Sequence, residues 1–325
     1  MTRPGILALA LLAPLALACS PPGLTQSYPT KPIRLVVPFV PGGGSDLMAR
    51  SIGQKLHEAW GQPVVVDHRP GGTGAVGSVI VAQSAADGYA LLMVTSSTHA
   101  ISPNLYRKPP YNPAKDFATI ALTGTAPQVL AVHPSVPVNS VKELIALAKA
   151  KPGTLNFASP GTGTLGHMTG ELFKMVTGVE MVHIPYKGSA SAARELLGGQ
   201  VQLSFSGPGP VIPQVRAGKL KALAAATRQR SAEMKEIPTF AELGYPGIEA
   251  SNWYGMLTTA GTPKAIVDKL NREIVRIVQL PEIREIFFRQ GYEPATSTPG
   301  EFAQFIQDEL AKWEKVVKAS GMQID

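Results

Sequence analysis

A chain of 325 residues is long enough for two domains. With 44% apolar and 16% charged residues it can bury a sizeable core, so its 32 glycines and 29 prolines mark a turn-rich α/β protein and exclude a disordered one. The formal charge of +7 is spread without a basic run and with few aromatics, which argues against nucleic acid and suits an anionic ligand or surface.

Arg3 precedes an apolar stretch from Ile6 to Leu17, and Ala16-Leu17-Ala18 places small residues at the outer positions of an A-x-A cleavage site. Residues 1–18 therefore read as a secretory signal peptide. No later apolar run approaches the roughly 18 residues of a membrane span, so an exported, soluble mature protein is expected. The only cysteine, Cys19, directly follows the cleavage site. It reads either as a leftover residue or as a lipid-modified N-terminus, although Ala16 stands where a lipobox usually has Leu. A lone cysteine also forbids an internal disulfide, so a packed core must supply the stability.

"IRLVVPF" from Ile33 reads as a strand, residues 46–60 as a helix and "PVVVDH" as a second strand, followed by a helix through Val79 to Ala85. "YALLMVTS" and "QVLAVHP" (from Gln128) are the next strands. Ser140-Val-Lys-Glu143 is a capping box ahead of Leu144, Leu147 and Ala148, and Pro152-Gly153 stops that helix. "TLNFAS" leads through a glycine turn into a helix from about Leu165 to Val176, and "VHIPY", "VQLSFS" and "LKALAAAT" continue the strand series. Thr262-Pro263 supplies an N-cap and a first-turn proline before Ile266, Leu270, Ile274 and Ile277. Thr298-Pro-Gly-Glu301 is a second capping box before Phe302, Phe305, Leu310, Trp313 and Val317. Strands separated by helices predict parallel sheets.

Three strand-to-helix junctions are glycine-rich: "PGGGSD" at 41–46, "PGGTGAVG" at 70–77 and "SPGTGTLGH" at 159–167. Such a turn aims unpaired backbone N–H groups at an anion, helped by the helix dipole. Two of them spell G-x-G-x-x-G, at Gly72/Gly74/Gly77 and Gly161/Gly163/Gly166. A dinucleotide site also needs an acid ending the next strand, but those strands end in Val94-Thr95-Ser96 and Ile184-Pro185-Tyr186. None carries the Gly-Lys-Ser/Thr of a P-loop, and Asp46 would repel a phosphate. There is no G-x-S-x-G elbow, and the six histidines (57, 68, 99, 133, 167, 183) lack metal-ligand spacing. His167 reads as a capping or supporting residue near a site, not as a catalytic one. Anion cradles without catalytic apparatus predict a binding protein, with no enzyme activity, metal or cofactor.

The blocks "YPTKPIRLVVPFVPGGGSD", "VVDHRPGGTGAVGSV", "ADGYALLMVTSSTHAISPNLY", "FASPGTGTLGHMTGELFKMVTG", "HIPYKGSASAARELLGGQVQLSF" and "IPTFAELGYPGIEASNWYGMLTTAGTP" stand in this order along the chain. They resemble the Bug (TctC-type) proteins, extracytoplasmic solute receptors of tripartite tricarboxylate transporters in Gram-negative bacteria, over essentially everything after residue 27. The resemblance implies the two-lobe α/β fold of periplasmic binding proteins (a Venus flytrap), with two sheets, flanking helices and a chain that crosses between lobes twice. Lobe one would comprise 27–127 plus 253–325, and lobe two 128–252, with hinges near Gly124–Gln128 and Ser251–Gly255. Trp253 and Tyr254 would then lie close enough to sense closure.

The resemblance further implies a small carboxylate held between the lobes. Its contacts in lobe one would be Phe39, Gly42, Gly43, Gly44, Ser45, Asp46, Ser96 and Ser97. In lobe two they would be Ser159, Gly161, Thr162, Gly163, Thr164, His167, Lys187, Gly188 and Ser189. It also implies a periplasmic monomer, tethered if Cys19 is lipidated, that serves the large and small membrane subunits of a transporter. The rival readings are a receptor reporting to a membrane sensor and an enzyme acting on nucleotides or carboxylates. Two stretches depart from the family pattern: the 70–77 turn reads R-P-G-G-T-G where relatives often have R-P-G-A-G-G, and Ser206-Gly-Pro-Gly-Pro210 is less polar than expected. Both could border the distal half of a ligand, so specificity does not carry over.

Overall fold

The computed structural model describes residues 28–231 and 234–324; the signal-peptide stretch and Cys19 lie outside the described residues. The first elements are β1 (Ile33–Val37), α1 (Gly44–Trp60), β2 (Val64–His68), α2 (Ala75–Ala82), β3 (Ala90–Thr95), a π-helical turn at Ser97–Ile101, α3 (Ser102–Leu105) and β4 (Phe117–Pro127). The chain then runs through β5 (Val129–Val132), α4 (Val141–Ala150), β6 (Asn156–Ser159), α5 (Leu165–Thr177), β7 (Val182–Pro185), α6 (Ser189–Leu197), β8 (Leu203–Ser206), α7 (Pro208–Arg216) and β9 (Lys221–Ala225). It returns through β10 (Ser251–Thr259), α8 (Lys264–Val278), α9 (Pro281–Arg289), β11 (Glu293–Pro294) and α10 (Pro299–Ser320). No helix among the described residues is long and apolar enough to cross a membrane.

These elements build two lobes, each a sheet with flanking helices. The first sheet has six strands in the order β11-β4-β10-β3-β1-β2, and the second has five in the order β7-β6-β8-β5-β9. The sheets are mixed, which corrects the parallel reading: β10 lies antiparallel to β3 and β4, and β5 lies antiparallel to β8 and β9. The crossings give the reason. β4 leaves the first sheet where β1 and β3 also end, and only Gln128 separates it from β5. It therefore enters the second sheet from the side where β6 and β8 end, and must run against them. β10 makes the same journey in reverse, and its pairing with β4 begins at Ser251↔Pro127. The carboxyl ends of the parallel strands in both sheets consequently face one another across the cleft.

Local sequence accounts for most of these elements. In α1 the buried residues Met48, Ile52 and Leu56 recur every four positions, and Gly61 in the left-handed conformation (φ 67°) ends the helix. Both capping boxes form: Ser140 accepts from the Glu143 N–H, and Thr298 and Glu301 cap each other reciprocally. Pro263 precedes α8 instead of opening it, one position from the expected start. Trp253 is buried on the side of β10 that packs against α10, edge-on to Phe302 and Phe305, so it faces away from the cleft; Tyr254, its neighbour, faces the other way. The Nε1 groups of Trp253 and Trp313 both donate to Glu309 Oε2, at 3.1 and 3.2 Å.

Candidate functional site

A cavity of about 70 Å³ lies where the two sets of strand ends meet. The first sheet contributes Phe39 and Val40 beyond β1, Gly43, Gly44 and Ser45 at the start of α1, Thr95 and Ser97 at the end of β3, Asn252 and Tyr254 of β10, and Tyr292 before β11. The second contributes Pro160, Thr164, Leu165 and Gly166 at the start of α5, Gly188 and Ser189 at the start of α6, and Gly207 and Pro210 at the start of α7; Gln128 lines it at the crossing. No Lys, Arg, Asp or Glu side chain is among these lining residues. The electrostatics come instead from the backbone, since four helices present their N-termini to one small space.

The unpaired donors can be traced. At α1 the Asp46 and Leu47 N–H groups bond the Gly43 carbonyl, which leaves those of Gly44 and Ser45 without a backbone acceptor among the described residues. At α5 the Met168 N–H returns to the Thr164 carbonyl, and the Leu165 N–H donates 3.0 Å across the cleft to Ser97 Oγ. Those of Gly166 and His167 likewise lack a backbone acceptor among the described residues. A second cross-cleft bond joins Thr73 Oγ1 to the Thr162 carbonyl at 2.9 Å. The lobes are thus in contact around the cavity. Thr95 Oγ1 is buried with no hydrogen-bond partner among the described residues, beside space that a ligand would fill. Tyr254 and Tyr292 meet edge-on, with centroids 5.6 Å apart; burial raises both hydroxyl pKa values, that of Tyr292 to about 12, so both stay neutral.

Of the expected contacts, Phe39, Gly43, Gly44, Ser45, Ser97, Thr164, Gly188 and Ser189 line the cavity. The remaining nine are held elsewhere. Asp46 turns back to brace its own loop: its carboxylate accepts from the Gly42 N–H (3.0 Å), Arg50 Nε (2.7 Å) and His68 Nε2 (2.8 Å). Burial opposes its charge, but these partners outweigh that and hold its pKa below the usual carboxylate value. Gly42 takes a positive φ of 93° and packs on Ala190 across the cleft. Ser96 Oγ bonds Asn252 Oδ1, which positions a lining residue. Ser159 Oγ receives the Gly161 N–H at 3.2 Å and lies 2.6 Å from His183 Nε2. Gly161, Thr162 and Lys187 line a larger hollow of about 590 Å³ outside the cavity, together with the 70–74 turn.

Gly163 and His167 belong to the support of the α5 turn. His167 Nδ1 accepts the Gly163 N–H at 3.1 Å, so the ring must be neutral on that nitrogen. The ring stacks on His183, with centroids 3.6 Å apart and planes within 10°. Burial depresses both pKa values to about 4 and Lys174 adds to the effect at both; at His183 the neighbouring His167 lowers it further while Glu171 works the other way. The lining residues that sequence reasoning passed over as contacts are Thr95, Gln128, Leu165, Gly166, Asn252 and Tyr292, while Gly207 and Pro210 belong to the 206–210 stretch it set beside the distal half of a ligand. Thr95 could have been found, because ligands of open α/β sheets bind beyond strand carboxyl ends. Tyr292 carried no local signal; it reaches the site only because β11 pairs with the end of β4.

Comparison with known proteins places the fold among solved relatives. BugT of Bordetella pertussis is 39% identical over 304 residues, covering 93% of each chain. A Rhodopseudomonas palustris protein solved with adipate superposes with a TM-score of 0.88 at 36% identity, over 91% of this chain and 99% of its own. MatC from Rhodopseudomonas palustris with bound malate does so with a TM-score of 0.83 at 30% identity, over 89% and 100%. The family profile described as "TctC: Tripartite tricarboxylate transporter family receptor" matches residues 48–322. With two lobes closed on a cavity of helix N-termini, the chain belongs to the TctC family of periplasmic solute-binding receptors, which are not enzymes.

Proposed function

We propose that the protein captures a small carboxylate between its lobes and delivers it, from the periplasm, to the membrane subunits of a tripartite tricarboxylate-type transporter. The observation that carries this reading is the meeting of α1 and α5, one from each lobe, across a single cavity without a charged side chain. Two opposed helix N-termini suit one anion, and only the closed arrangement offers both sets of donors. Adipate and malate in the related structures support the chemical class. The lobes would be 27–127 with the C-terminal part, and the stretch between the crossings. The moving joints would be Pro127–Gln128 and Ala250–Ser251, where Gln128 N bonds the Ala250 carbonyl and Ala226 N bonds the Gln128 carbonyl.

The test is calorimetry with carboxylic acids and their methyl esters, beside small-angle scattering. Micromolar binding corresponds to about 8 kcal/mol. A charge-assisted hydrogen bond contributes roughly 1.5–3 kcal/mol, so losing two or three to an ester should abolish measurable binding. A ligand-free protein first shown to be open should compact when the acid binds. An ester that binds as well as its acid, or binding without compaction, would overturn the reading.

A further inference from the structure

Resting on the carboxylate reading, the geometry points to a narrower ligand class: we infer that this cavity selects compact acids with a single carboxylate and a neutral far end, against dicarboxylates. The first observation is size. A cavity of about 70 Å³ lies well below the roughly 300–1,000 Å³ of ordinary ligand pockets, which favours the smallest acids. That suits a lactate- or butyrate-sized molecule, and adipate and malate are larger.

The second observation is what faces the far end of a carboxylate seated between α1 and α5. A second carboxylate would need its own donors or a cation. The helix that ought to supply donors there is α7, but its first turn is Pro208-Gly209-Pro210. Both prolines lack an N–H. The N–H groups that remain are those of Gly209, which lies close against the Tyr292 hydroxyl, and of Gly207 at the N-cap. The α7 terminus therefore keeps its dipole but offers two fewer hydrogen bonds to an anion than an ordinary first turn would. Tyr254 and Tyr292 stand between Gly44 and Gly207 as neutral groups, and the unpartnered Thr95 hydroxyl offers a further neutral contact.

The third observation concerns cations. Lys187 lines only the outer hollow. Phe39, Val40, Pro160 and Gly188 line both spaces and so form the partition between them. Val40 presses closely on Gly188 from the opposite lobe, leaving no room even for a methyl group there. Arg50 is already bound to Asp46. A second carboxylate inside the cavity would thus lose its water without gaining a counter-charge, which is the costly case for burying an ion.

The experiment is a calorimetric and thermal-shift panel on the mature protein, comparing propionate, lactate and butyrate with malonate, succinate and adipate. At least one monocarboxylate should bind tenfold or more tighter than every dicarboxylate. Pro210→Ala, which restores an N–H at the α7 terminus, should narrow that ratio at least threefold. Succinate or adipate binding as tightly as the best monocarboxylate would overturn this inference and leave the carboxylate receptor standing, as would a ratio unmoved by Pro210→Ala. Failure of all six acids to bind would remove the carboxylate reading itself, and this inference with it.

Discussion

Acidification should expose the stacked histidines behind the α5 turn. In the folded chain His167 and His183 have pKa values near 4, against 6.5 when unfolded. The folded state therefore refuses protons that the unfolded state accepts. Stability from this source is complete above pH 6.5, falls as pH drops towards 4, and changes no further below that. At about 1.4 kcal/mol per pH unit, His167 alone should cost about 2.5 kcal/mol by about pH 4.5. His183 is more exposed and adds less, and the 3.6 Å stack disfavours a doubly charged pair. Carboxylates also titrate in this range, so the comparison must be with His167→Gln, whose side-chain oxygen can still accept the Gly163 N–H. Urea unfolding at both ends of the window should show the wild type losing about 2–3 kcal/mol more than the variant. Equal losses, or an NMR titration placing His167 near 6.5, would refute the argument.

Three further outcomes follow from contacts in the structure. At Gly44 an added Cβ would lie 2.6 Å from both Tyr254 Oη and Tyr292 Cε1, whereas at Gly43 it would meet only Ser189 Oγ at 3.6 Å. Overpacking of about 1–3 kcal/mol should make Gly44→Ala lose roughly tenfold or more in carboxylate affinity by calorimetry. Gly43→Ala should stay within about threefold by the same scale, and similar losses in the two would disprove the packing account. Ser97→Ala and Thr73→Val each remove one cross-cleft bond, so each should shift scattering towards the open form and weaken ligand binding by about 0.5–1.5 kcal/mol; no change in either would mean that these bonds do not hold the cleft shut. Glu309→Ala leaves two buried indole N–H groups unpaired, at about 1–3 kcal/mol each, and should lower the unfolding midpoint while sparing ligand affinity, because neither ring lines the cavity.

The elements with strong local signals were legible in the sequence. The glycine turns at 41–46 and 159–167 do open α1 and α5, and both capping boxes begin helices, because a turn or cap is decided within four or five residues. β4 escaped notice because "FATIALTGTAP" mixes small and polar residues and owes its strand state to β10 and β11 on either side. The π-helical turn that carries Ser97, and the helices α6 and α7, were missed for a related reason. Their starts at Gly188 and Gly207 have no side-chain cap, so tertiary contacts decide them. In the site, the turns that bound the cavity were legible and the orientation of single side chains was not. Asp46 stands next to lining Ser45, yet one further step round α1 turns its carboxylate away from the cavity to Arg50 and His68.

The place of β10 in the first sheet also sets an order of assembly. β10 is wedged between β3 and β4, so these two strands, close in sequence, never pair with each other. A ribosome must therefore deliver residues 251–259, after the entire second sheet, before the first sheet can close. The second sheet is drawn from one continuous stretch, 129–225, and needs no such wait. Refolding should accordingly build the inserted lobe first and leave the N-terminal strands exposed until late, since long-range pairings are slow to form. Withholding the central strand of the first lobe thus keeps that lobe open until four-fifths of the chain has been made.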